Sequence, residues 1–411
     1  MAPLVATGAA LLAACAGGGP GSPRSGEWAG TVTTAGNVTT VINESGSVWG
    51  GPAELVESLS IGVESGDGAY MFGRIDSIGA TEDRIYVLED RPPAVRVYGH
   101  DGRHLFDFGG AGEGPGELNN PVTMGVDPGG RVMVQDLHRV TVYSFEGEPL
   151  DTWPYRGGLI LPITVTLDGT TWIPWNWRDD EGFHAGLMAI APDGSEGRRV
   201  DGPDYDYEPW QLTARQGGRT MMASVPYAPG SAFAVLPSGA VAQGLRDRYR
   251  FEVHRPDGSV LVIERAIEPP PISTAEAEWR TATTAARLRA YQPGWAWTAR
   301  PIPGHKPAFQ SFSGDRWGRI WVQRILRTDE APDCEPSPPS ADERVLLSCW
   351  TDVMGWDVFE ESTGRFLGSV EQPAPFTFRP PPAFLEDGML AVVEDEAGTL
   401  MVKRYRLALP G

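Results

Sequence analysis

The residues best equipped to bind something are three tryptophans crowded into Thr171-Trp172-Ile173-Pro174-Trp175-Asn176-Trp177-Arg178-Asp179-Asp180-Glu181. Aromatic faces beside carboxylates are a common way to hold sugars or cations. In an extended strand Trp175 and Trp177 share one face and Trp172 takes the other. Trp295 and Trp297 form a second pair further along the chain. These five make up the candidate ligand surface. Packing between sheets is the other use to which such rings are put.

Motifs that would announce catalysis are missing. The histidines are His100, His104, His138, His184, His254 and His305, and none forms a zincin pair on a helix. His100 and His104 flank an Asp101-Gly102 turn. A two-residue loop there pairs His100 with Arg103 and sends His104 to the opposite face. Asp204-Tyr205-Asp206-Tyr207-Glu208 alternates carboxylates as a calcium loop begins. Pro209 stands where such a loop needs glycine, and the twelfth position is Arg215 rather than a bidentate glutamate. A solvated acidic loop is the better reading, and a looser calcium site stays open. The Gly-rich stretch 109–116 lacks the following Lys-Ser/Thr and helix of a phosphate loop. No Gly-x-Ser-x-Gly elbow occurs. Catalytic residues and metal ligands are therefore left unassigned, and no cofactor is expected.

Charge narrows the partners. Lys and Arg number 34 against 54 Asp and Glu, a net charge of −20. Nucleic acids and anionic membrane surfaces are held through cationic contacts, so both are excluded as partners.

The first residues read as an export signal. Met1 to Ala14 carry no charge, and the apolar run from Leu4 is far too short to span a bilayer. Leu12-Ala13-Ala14-Cys15 resembles the bacterial lipobox, which implies lipidation at Cys15, and the non-acidic residue after it implies the outer membrane. Gly, Ser and Pro then dominate, as in a flexible tether. Residues 1–15 are assigned to the signal and lipobox, 16–50 to the tether and 51–411 to one folded domain. With Cys15 set aside, Cys334 and Cys349 remain as a disulfide pair across a Pro-rich loop, the alternative being two free thiols.

That domain is repetitive. A turn with Asp or Gly followed by a β-rich strand recurs at Asp83, Asp127, Asp168, Pro237, Asp315 and Asp387. A second turn follows in most units, at Asp101-Gly102, Glu146-Gly147, Asp193-Gly194, Asp257-Gly258 and Thr363-Gly364. At the first of these a two-residue loop opposes Tyr98 with Leu105, Val97 with Phe106 and Arg96 with Asp107. The last unit lacks its outer strand, which residues 55–63 can supply, closing the ring and leaving no open sheet edge. Residues 273–291 interrupt the pattern as a helix. Ser273-Thr274-Ala275-Glu276 reads as a capping box, and Ala275, Trp279, Ala282 and Ala286 form one apolar face. It packs on the rim of the ring or covers its centre as a lid. The expected fold is an all-β, six-bladed β-propeller closed by an N-terminal strand, with a helical insertion between blades four and five.

The sequence resembles the bacterial six-bladed β-propeller lipoproteins, NHL-repeat-like members of the TolB-like propeller superfamily. The resemblance rests on Arg74-Ile75-Asp76-Ser77-Ile78, on Val95 to Gly102 and on the linker Phe108 to Leu118 with its Gly114-Pro115-Gly116-Glu117. It implies the fold and a lipid-anchored place outside the cytoplasm. The missing catalytic spacing and the acidic, loop-rich surface point to a monomeric, non-catalytic module that binds protein, peptide or glycan in the cell envelope. The alternative it implies is a calcium-dependent lactonase, hydrolase or lyase working in the central channel, since six-bladed relatives include such enzymes.

Overall fold

In the computed structural model the described residues are 26–154, 162–180, 182–340, 346–377 and 379–411. They form a six-bladed propeller. Blade one holds the strands Ile75–Ala80, Arg84–Asp90, Pro93–Gly99 and His104–Phe108. Blade two holds Thr123–Val126, Val132–Gln135, Arg139–Tyr143 and Pro149–Pro154, and blade three Thr164–Val165, Thr171–Asp179, Gly182–Ile190 and Glu196–Asp201. Ser231–Val235, Val241–Leu245, Arg250–His254 and Val260–Arg265 make blade four. Ser311–Gly314, Arg319–Glu330, Trp350–Glu360 and Phe366–Glu371 make blade five. Blade six has Ala383–Leu385, Gly388–Glu394 and Leu400–Ala408, and takes Glu54–Ile61 as its outer strand. The expected closure is thus made antiparallel, with Val402 opposite Ile61 and Ala408 opposite Glu54.

A blade is covered on both faces by its neighbours, so its second strand is apolar almost throughout rather than alternating. Ile85 to Leu88, Val132 to Val134 and Ile320 to Val322 are all buried. The core is accordingly divided into seams. Tyr86, Leu88 and Val97 of blade one meet Met124, Val132 and Val134 of blade two. Equivalent clusters fill the other five junctions, including the closing one between blades six and one. Turn aspartates lock these seams at one end. Asp127 accepts from the backbone N–H and Nε of Arg131, whose Nη1 donates to the Pro192 carbonyl of the next blade. Asp315 and Arg319 repeat the device, with Arg319 reaching the Leu385 and Glu386 carbonyls of blade six.

The Asp101-Gly102 turn differs from the expected two-residue loop. Gly102 takes φ +83°, whereas Asp101 is not among the residues of positive φ. The turn is then of type I with a bulge at glycine, because a two-residue I′ loop needs positive φ at both central positions. The extra residue places Tyr98 opposite His104 instead of Leu105, while Val97–Phe106 and Arg96–Asp107 pair as expected. His104 turns to Asp107, Nε2 to Oδ1 2.7 Å, and His100 Nε2 lies 3.0 Å from the Thr81 carbonyl.

Residues 16–50 do not form a tether throughout. Ala29–Ala35 and Val38–Ser45 make a hairpin, and Val38–Asn43 pair parallel with Val260–Arg265, widening blade four to six strands. Val38-Thr39-Thr40-Val41-Ile42 is a β-branched run suited to a sheet. Val41 is fully buried in the seam between blades four and five. Asn43 is buried too, donating to the Glu264 and Gly364 carbonyls and accepting from Trp28 Nε1 and the Phe366 N–H.

The helix runs Thr274–Tyr291, capped by Ser273 accepting from the Glu276 N–H. Its buried residues are Glu276, Thr283, Thr284, Ala285 and Leu288, not the expected face through Ala275, Trp279, Ala282 and Ala286. The helix serves two neighbours at once. Ala285 and Leu288 share a small core with Leu212 and Ala214 of the hairpin Gln211–Gln216/Arg219–Ser224. Trp279 packs on Trp350 of blade five, centroids 5.9 Å apart.

Cys334 and Cys349 are joined, with Cα atoms 5.6 Å apart, in the connection between the second and third strands of blade five. A crosslink across a separation of 15 residues removes about 3 kcal/mol of unfolded-chain freedom. Reduction, or the C334S/C349S double substitution, is expected to lower stability by up to about that amount. Thermal melts with and without reductant check this, and superimposable curves would mean the bond adds nothing.

Candidate ligand cleft

Strand alternation sorts the connections of every blade. First-to-second and third-to-fourth turns leave one face of the ring, while second-to-third and blade-to-blade connections leave the other. The Asp and Gly turns lie on the first face. The long insertions lie on the second: the hairpin at 211–224, the helix and the disulfide loop.

On that insertion face a cleft of about 390 Å³ opens where blade three hands over to blade four. Three segments build it. The linker after blade three supplies Asp204, Tyr205, Tyr207 and Trp210, held extended by Pro203 and Pro209. The approach to blade four supplies Gly230 and Ser231, and the exit from its second strand supplies Arg246. The Tyr207 hydroxyl donates to the Pro229 carbonyl, tying the first segment to the second. Arg246 ties the third: its backbone N–H and its Nε both donate to the Gly230 carbonyl, at 3.0 and 3.1 Å. A Cβ at Gly230 would stand 2.6 Å from Arg246 Nη2, so a side chain there would have to displace the end of the guanidinium.

Burial holds the Arg246 guanidinium below the ordinary arginine value, partly offset by Tyr207. Burial and the nearby Glu252 carboxylate push the Tyr205 phenol up to about 12. Tyr205 thus stays a neutral hydroxyl at any physiological pH. Arg300 lies over the Trp210 ring, 5.1 Å from the centroid. The cleft has aromatic walls, one cation and the hydroxyls of Ser224 and Ser231, with Asp204 exposed at its mouth. It can stack a ring and donate hydrogen bonds, but it holds no nucleophile paired with a base.

The central channel, about 460 Å³, is lined by the first strands of all six blades. Small and apolar residues dominate, such as Gly79, Gly125, Val165, Ala234 and Phe312. Among the described residues its one lining carboxylate, Asp315, is engaged by Arg319 and by Trp321 Nε1. Arg316 of blade five reaches across to the opposite side of the ring, where Nη2 donates to the Val126 carbonyl of blade two at 2.9 Å. No residue of the helix lines this channel, so among the described residues the lid alternative has no support. Among the described residues, no group of three or more His, Cys, Asp or Glu gathers to hold a metal ion.

The tryptophans singled out in the sequence lie elsewhere. Trp172 is buried in the seam between blades three and four, with Arg198 over its ring at 5.1 Å. Trp175 packs at the edge of the opposite seam, under Arg199 at 4.8 Å. The two face opposite ways, as alternation requires. Trp177 lies on the same strand, opposite His184, but its side chain is outside the described residues. Trp295 is buried in the core between helix and hairpin, Nε1 donating to the Thr213 carbonyl, and Trp297 abuts it edge-on. Trp172 and Trp295 are buried, and Trp172 and Trp175 face opposite ways, so the described rings do not gather on one surface. Cys15 lies outside the described residues. What the sequence reading missed is Arg246, hidden between Leu245 and Asp247 as an ordinary surface charge. Tyr205 and Tyr207 sat in a loop read for its acids.

No protein-family model and no curated protein sequence matches the chain. Solved structures similar to it include a member of the DUF4221 family from Bacteroides vulgatus, at 9% identity and TM-score 0.48, covering 87% of this chain and 99% of that one. A putative exported protein from Bacteroides fragilis aligns at 9% identity and TM-score 0.43, over 86% and 95% of the two chains. A streptogramin B lyase aligns at 11% identity and TM-score 0.36, over 85% and 97%. Similarity at this level concerns the course of the chain alone.

Proposed function

We propose that this protein is a non-catalytic binding propeller, exported and lipid-anchored through Cys15 to the bacterial envelope, where the insertion face presents its cleft to a ligand. The observation that carries this reading is the cleft itself: ring-stacking walls and an arginine fork on the face where the long connections gather, with no acid–base or nucleophile pair beside them. The lipobox-like Leu12-Ala13-Ala14-Cys15 supports the anchor, and residues 95–118 support kinship with the bacterial propeller lipoproteins. The calcium-dependent enzyme reading draws no support from the channel, whose single lining carboxylate among the described residues is already engaged.

The test is a screen of envelope glycans and peptides against the full chain, beside melts with and without calcium. The expected result is a saturable ligand lost on Trp210→Ala and a melting point that calcium leaves unmoved. Calcium-dependent turnover of lactones or esters would overturn the proposal. Incorporation of labelled palmitate that disappears with Cys15→Ala tests the anchor separately.

A further inference from the structure

Half-buried arginines in this acidic chain are usually answered by a carboxylate: Arg131 by Asp127, Arg139 by Asp136, Arg319 by Asp315 and Arg404 by Asp387. Arg246 is not. Only its Nε is engaged, by a neutral carbonyl, and among the described residues Nη1 and Nη2 have no partner. Keeping a guanidinium partly out of water without a counter-charge is unfavourable. A planar fork with its outer edge free is shaped for a bidentate carboxylate. Around that fork stand the rings of Tyr205, Tyr207 and Trp210, and then Asp204, Ser224 and Ser231. The last three have no use for a plain aromatic acid but suit a ring bearing hydroxyls.

We infer that the cleft takes a uronic acid sugar, its carboxylate paired with the Nη1–Nη2 edge of Arg246, its ring against the aromatic wall and its hydroxyls on Asp204, Ser224 and Ser231. The inference rests on the binding-module reading and names that module's ligand. A volume of about 390 Å³ suits one or two such rings. The lowered proton affinity that burial imposes on Arg246 agrees with a cation waiting for its counter-charge.

The experiment is a calorimetric titration of the full chain with sodium glucuronate, with methyl glucoside as the neutral counterpart and benzoate as the carboxylate without hydroxyls. Glucuronate is expected to saturate, to weaken as salt is raised, and to lose about tenfold or more in affinity in R246Q. R246K, which keeps the charge but not the fork, is expected to recover only part of this. Gly230→Ala, which crowds Nη2, is expected to weaken binding with Arg246 still present. Methyl glucoside binding as tightly as glucuronate, or R246Q binding unchanged while melting like the parent, overturns the role of Arg246. Benzoate binding as tightly overturns the sugar. Silence toward glucuronate overturns this inference. If the wider screen still yields a ligand lost on Trp210→Ala, the binding module stands without it, and if that screen is silent too, both fall.

Discussion

Replacing Lys306 with methionine is expected to destabilise the protein by about 3 kcal/mol or more, because it breaks a buried ion cluster by removing one side only. The Lys306 side chain is 0% exposed and Glu276 1%. Lys306 Nζ lies 2.5 Å from Glu276 Oε1, 3.1 Å from Asp352 Oδ1 and 3.9 Å from the centroid of the Tyr227 ring. The Tyr227 hydroxyl donates to Glu276 Oε1, and Arg280 Nε reaches the same oxygen. These groups come from the helix, from blade five and from two insertions, so the cluster latches the helix and hairpin onto the ring. Tyr227 sits at φ +59°, a conformation costing a non-glycine residue on the order of 1 kcal/mol or more that the hydroxyl's bonds offset. Replacing both fully buried charges, E276M with K306M, is expected to lose less than K306M alone, since only the half-buried Asp352 is then left facing an apolar chain. Denaturant melts of the two variants check this. A double variant that loses as much as K306M or more would overturn this expectation. Limited proteolysis should find the extra cleavage of K306M within 267–310 if the latch is local.

Removing the strand Glu54–Ile61 is expected to have the largest effect of any short deletion. It opens the ring, strips Leu55 and Ile61 from the seams beside blade six, and leaves the backbone of Leu400–Ala408 as a free edge. A truncation ending at residue 62 should give aggregated or unfolded protein in size-exclusion chromatography. A truncation ending at Ser25 should melt like the full chain. One ending at Gly46 should fall between them, since blade four retains its own four strands but loses Val41 and Asn43 from the seam with blade five. If all three truncations melt alike, the closure contributes nothing to stability. A synthetic peptide spanning 53–63, added in trans, should return part of the lost monomer, because the edge it covers is otherwise complete.

Much of this architecture was legible in the sequence because its causes are local. A turn residue with the right backbone freedom, a run of β-branched and aromatic residues, a serine three positions before a glutamate and a strand missing from the last repeat all act over a few residues. They determined the six units, the closing strand, the helix with its cap and the pairing of the two cysteines left after Cys15. The decisions left to the tertiary structure were those made between distant segments. Whether Asp101-Gly102 carries a two-residue loop or a bulge depends on one φ angle. Val38 to Ile42 became part of blade four because the outer strand Val260–Arg265 offered a free edge, 221 residues away in the Asn43–Glu264 contact. The buried side of the helix was set by two neighbours rather than by its own periodicity, so Glu276 went inside while Ala275 stayed out. Arg246 belongs to the same class. Nothing in Leu245-Arg246-Asp247 marks it, and only when blade four is built does its guanidinium lie beside Gly230 and the tyrosines of a loop earlier in the chain, with no carboxylate paired to it among the described residues. Short-range chemistry determined which elements form. Which side chains are left unanswered, and so open to a ligand, was decided by the packing of elements far apart in the chain.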